Sequence, residues 1–154
     1  MFGKDEFIKK VLIVFFALFT VSNVIFLMLW KVNFGLFFGY SIGALAVFFN
    51  FWLHDIYVYF VMKSKNSSAR KMGLLSFFWT IFTLSLLGLH LIAILLINQN
   101  AKINLNVAHP WNLVDRPINI FSFIGGLSTL VIAIIIANII EFLKKSKKER
   151  GLNG

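Results

Sequence analysis

The sequence predicts an all-α integral membrane bundle of four transmembrane helices, with N- and C-termini cytoplasmic. Three observations carry that expectation. Hydrophobic residues make up 59% of the chain and charged residues 14%, against about 45–50% and about 25% in soluble domains. Mean hydropathy is +0.85. Four apolar stretches each reach the length of about 20 residues that crosses a ~30 Å hydrocarbon core at ~1.5 Å per residue. Finally, Lys and Arg concentrate in alternate connections, as the positive-inside rule requires.

The spans follow in order. The first, 11–30, is preceded by Lys4, Lys9 and Lys10. A basic start before an apolar run also fits a secretory signal. This run is long enough to span, however, and no small-x-small cleavage site follows it, so a retained helix is expected. The second, 34–62, has 29 residues and would be about 44 Å long as a helix. That exceeds the hydrocarbon core, so its last turns must tilt or enter the headgroup region. The third is 73–97 and the fourth 118–143, followed by a basic tail over 144–154. Chain length and the absence of repeats argue for a single transmembrane domain over 1–154. None of the spans can be an open strand or loop in lipid, because its backbone groups would go unsatisfied.

Three connections join them. Residues 31–33 form a tight external turn, which makes the first two helices an antiparallel hairpin. The polar segment 63–72 is cytoplasmic. The external segment 98–117 has 20 residues and both prolines, a length that marks a loop as functional or mobile. Twelve Lys and Arg fall on the inner side and three, Lys31, Lys102 and Arg116, on the outer. The aromatic residues agree. Trp30 falls at the outer end of the first span, and Trp52, Tyr57, Tyr59 and Trp79 fall toward the inner boundary, the depth such rings prefer.

Composition excludes several classes. The net charge of +9 would suggest nucleic acid in a soluble protein. Here the charges sit between apolar runs, so they read as topology and nucleic acid is not an expected partner. There is no cysteine, which removes disulfides, thiolate metal sites and cysteine nucleophiles. No P-loop or paired carboxylates on one helix face occurs, so an enzyme is not expected. No histidine–carboxylate spacing suggests a metal, and no cofactor is expected. The Phe-, Ile-, Asn- and Lys-rich usage fits an AT-rich bacterial genome, hence the bacterial cytoplasmic membrane.

Two sets of residues stand out. In the second span Gly35, Gly39 and Gly43 are four apart, and the same face continues through Ala46, Asn50 and His54. Glycine at that spacing lets another backbone approach closely, either within the bundle or on a docked subunit or second copy. Small residues also recur in the fourth span at Gly125, Thr129, Ala133 and Ala137, ending at Glu141, with Ser122, Gly126 and Asn138 close by. Ser76, Thr80, Thr83 and His90 share a face of the third. The second set is ionisable: His54, Asp55, His90 and Glu141. Charge at mid-bilayer costs ~2.5–3.5 kcal/mol, so such groups suggest an ion path if they converge. Glu141 is instead spaced to pair with Lys144 or Lys145. Lys144, Lys145, Lys147, Lys148 and Arg150 are expected to continue the fourth helix along the headgroups, with Gly151 as its stop.

The segment from about 34 to 97 resembles the ATP synthase protein I family. The stretch FGLFFGYSIGALAVFFNFWL, with Gly35, Gly39, Ser41, Gly43 and Asn50, and the basic SARKMGLLSFF, with Arg70 and Lys71, carry the likeness. The resemblance implies a small four-helix accessory of the bacterial F-type ATP synthase. It would assist assembly or stability of the membrane sector, with the c subunit as partner. The alternative it brings is a small cation transporter, for example of magnesium. The long external segment departs from the family, which joins its last two helices tightly.

Overall fold

The computed structural model describes residues 6–63, 69–101 and 117–152, with side chains described for 6–61, 71–101 and 117–146. Among the described residues the chain is all helix: α1 Glu6–Met28, α2 Gly35–Lys63, α3 Ala69–Asn100 and α4 Ile120–Leu152. Each is long and apolar enough to cross a membrane. Large apolar side chains such as Ile13, Phe77, Phe82, Ile132 and Phe142 point outward.

The helix limits differ from the expected spans. α3 runs three residues past Ile97 because Asn98, Gln99 and Asn100 remain helical. Polar residues at the end of an apolar helix look like loop in sequence alone. α4 continues through the basic run and past Gly151 to Leu152, since one glycine costs a helix only ~1 kcal/mol. The turn between α1 and α2 closes tightly: Val32 and Asn33 both donate backbone N–H to the Leu29 carbonyl, at 2.9 and 3.0 Å. Asn33 Oδ1 then accepts from the Gly35 N–H at 2.9 Å, satisfying one of the orphan donors at the start of α2. Most of 98–117 and the middle of 63–72 lie outside the described residues.

Packing is uneven. The broadest interface joins α2 to α4, and α1 lies across both. Contacts between α2 and α4 rise together in number, Gly39 beside Asn119 and Gly43 beside Phe123, so these helices are parallel. α1 is antiparallel to them: Phe15 stacks on Phe48 at 5.5 Å, while Phe26 meets Tyr40 at 5.2 Å. The core comprises Val11, Phe15, Tyr40, Ala44, Leu130, Ala133 and Ala137. α3 stands outside it. Only 6% of its apolar window is buried, against 39% for α4. The result is a three-helix core with an outlying arm. Apart from its Ser76, Thr80, Thr83 and His90 face, α3 is apolar all round, so its apolar pattern does not show that it has so little to pack against.

Candidate functional site

The glycine face of α2 meets the backbone of α4. A methyl group at Gly39 would collide with the Asn119 carbonyl and the Ser122 hydroxyl, and one at Gly43 with the Phe123 carbonyl. On the facing helix, a methyl at Gly126 would lie 2.7 Å from the Ala44 nitrogen. Ala133 and Ala137 are fully enclosed further along. This is close backbone packing of the kind small residues permit. The face expected on α4 is buried at Thr129, Ala133 and Ala137, but Gly126 rather than Gly125 meets α2, and Gly125 opens on empty space. Gly35 is buried and its carbonyl accepts the Asn119 N–H at 3.0 Å. Ala46 is also buried.

Polar bonds that the sequence did not single out reinforce this seam. Thr129 Oγ1 donates to the Tyr40 hydroxyl at 3.0 Å, and Tyr40 reaches the Leu18 carbonyl at 3.5 Å, so one chain ties α4, α2 and α1. Ser41 donates to Asn23 Oδ1 at 2.6 Å. At the end where α2 and α4 begin, Asn119 Oδ1 accepts the Ser122 N–H at 2.9 Å and caps α4. Beside it, the Asn98 side chain pairs with both backbone groups of Ile118, donating to the carbonyl at 2.8 Å and accepting from the N–H at 3.0 Å. Asn98 opened the expected external segment and Ile118 the expected fourth span, and nothing in their spacing linked them.

α3 is pinned to the core at two points. One is Asn98, with Ile94 beside Ile118 and Phe123. The other is Tyr57, whose ring stacks on Trp79 at 4.7 Å and 9° and whose hydroxyl shares a hydrogen bond with Ser76 at 2.9 Å. Between the pins lies a cavity of about 220 Å³ lined by Val47, Asn50, Phe51, His54, Thr83 and Leu130. Asn50 Oδ1 is enclosed with no hydrogen-bond partner. Elsewhere the hydroxyls of α3 satisfy themselves locally: Thr80 donates to the Ser76 carbonyl at 2.9 Å and Ser85 to the Ile81 carbonyl at 2.8 Å. Such back-bonding makes these groups tolerable on an apolar face.

The four ionisable residues do not converge. His54 borders the cavity, with its ring 6.0 Å from that of Tyr57. Asp55 does not line it; its Oδ2 is enclosed without a hydrogen-bond partner. His90 Nδ1 donates to the Leu86 carbonyl at 2.7 Å, one turn back on α3. Glu141 bridges Lys10 of α1 and Lys145, each at 3.6 Å. The Lys145 contact is the helical pair that sequence spacing suggested. The Lys10 contact holds the start of α1 beside the late turns of α4. Among the described residues no group of three His, Asp or Glu could hold a metal ion. Lys144 and Lys145 are exposed. The side chains of Lys147, Lys148 and Arg150 lie outside the described residues, though their backbone continues α4. No protein family, characterised protein or solved structure compared with the chain matches it.

Proposed function

We propose that this is a multi-pass protein of the bacterial cytoplasmic membrane, with both ends inside. It acts without catalysis as an accessory in assembling or stabilising the F-type ATP synthase membrane sector, and α3 receives the c subunit. The orientation rests on the twelve inner and three outer basic residues. The Lys10–Glu141 contact supports it by bringing the start of α1 and the basic end of α4 together.

The observation that carries the functional reading is the position of α3. The glycines of α2 are already filled by α4, so they offer no room to a partner. α3 covers little of the core and is itself little covered. Gly88 on α3 has nothing within 4 Å of where a side chain would begin, and an exposed glycine lets a second membrane helix come close. The resemblance to the ATP synthase family, which spans α2 and most of α3, supplies the identity of that helix. Gly88→Leu tests this directly. With no neighbour to displace, it should not destabilise the fold, helix propensity favouring leucine by up to ~1 kcal/mol, while lowering the yield of assembled c-ring severalfold. Normal ring assembly in cells carrying only that variant would count against the proposal.

The cavity between the pins favours a second reading, passage of a small cation such as magnesium. Its Asn50 oxygen lacks a partner, and Mg²⁺ takes oxygen ligands. Purified protein in liposomes loaded with a magnesium-sensitive dye should then admit the ion, and Asn50→Leu should abolish entry. No uptake above protein-free liposomes rejects it.

A further inference from the structure

Beyond the Tyr57–Trp79 stack, toward the end of the bundle where α2 finishes and α3 starts, the two helices part. The gap forms a groove of about 450 Å³ lined by Tyr57, Phe60, Val61, Met72, Leu74, Leu75 and Phe78, with Lys71 at its edge. We infer that this groove is a selective site for an anionic glycerophospholipid, with one acyl chain between α2 and α3 and its phosphate against Lys71. The inference rests on the membrane placement above and is independent of the ATP synthase reading.

Three features point to that occupant. The lining is almost wholly apolar, which suits a hydrocarbon chain and offers little to a polar ligand. Among the described residues, the one charged group lining the groove is a cation. It sits in the first turn of α3, where the connection from 63 to 71 also supplies Lys63, Lys65 and Arg70 in sequence. Under the proposed orientation that edge lies at the inner headgroup level, where anionic lipids attract such segments. A neutral lipid could fill the apolar part equally well, so selectivity must come from Lys71.

Trp79 reports on occupancy because it stacks on the wall residue Tyr57. The full chain with Trp30, Trp52 and Trp111 replaced by Phe keeps Trp79 as its only tryptophan. It is placed in phosphatidylcholine vesicles containing equal fractions of acyl-brominated phosphatidylglycerol or acyl-brominated phosphatidylcholine. The brominated anionic lipid should occupy the groove about fivefold more readily, the ratio given by one ~1 kcal/mol headgroup contact. Lys71→Gln should bring the two lipids to equal quenching, whereas Lys144→Gln should leave the preference intact. Equal quenching in the chain that retains Lys71, or a preference that survives Lys71→Gln, overturns the inference. So does disulfide-linked dimer formation by Leu75→Cys, which would show a second copy in the groove.

Discussion

Gly43→Leu should largely abolish accumulation of the protein and lower its melting temperature in detergent. The cause is backbone against backbone. Even a methyl at this position meets the Phe123 carbonyl, and the adjoining backbone is rigid helix. A flexible side chain could swing aside, but a helical carbonyl moves only if the whole helix moves. Separating α2 from α4 would then open the Tyr40–Thr129 bond and the packing of Ala44, Leu130 and Ala133. Overpacking costs about 1–3 kcal/mol where a core can adjust, and this seam has less freedom than most. A fall of roughly 5–10 °C is expected. Gly43→Ala should show a smaller loss in the same direction, and Gly126→Leu a loss like that of Gly43→Leu. Gly125→Leu, one residue away, is the control. It points into open space and should leave the melting temperature nearly unchanged. Equal melting temperatures for Gly125→Leu and Gly126→Leu would show that the seam does not hold the helices together.

Asn98→Leu should release the far end of α3. Its amide satisfies both backbone groups of Ile118. Asn98 and Ile118 are each only 6% exposed, so water cannot readily replace the lost bonds. A buried polar group left without a partner costs about 1–3 kcal/mol. Hydrogen bonds between membrane helices average nearer ~0.6 kcal/mol, because their unfolded reference also finds partners. The larger cost should win here, since two backbone groups lose their partners together. The Ile118 amide should exchange hydrogen at least tenfold faster in the variant, as a change of ~1.4 kcal/mol would give. Asn98→Asp separates the two bonds. It retains an acceptor for the Ile118 N–H but sets an anionic oxygen against the Ile118 carbonyl, so it should be nearly as disruptive. Unchanged exchange at Ile118 in both variants would mean that this pin contributes little.

How much of this was legible in the sequence follows from the range of each signal. Spans are set by local composition, and the glycine spacing of α2 is a local period. What the stripe packs against is not local. Three other helices were available, and Gly125 and Gly126 are neighbours in sequence yet about 100° apart around α4. Glu141 shows both sides of this limit: Lys145 lies one turn away on the same helix, whereas Lys10 arrives from the other end of the chain. Asn98 and Asn119 were hidden by position. Each stands at the edge of an apolar run, where asparagine usually means loop, and the bond from Asn98 to Ile118 crosses 20 residues. Whether His54, Asp55, His90 and Glu141 converge was not legible, because charge and depth place residues along the membrane normal but not around it.

α3 is an arm presented by a three-helix core. A photoreactive residue placed in turn at positions along α3 and along the outer face of α4, in cells making the full ATP synthase, tests it most directly. Adducts with the c subunit should cluster around Gly88, at Thr80, Leu84 and Leu91, and should be absent from Val131 and Ile135 on α4. Adducts spread equally over both helices, or none to the c subunit from α3, would contradict it.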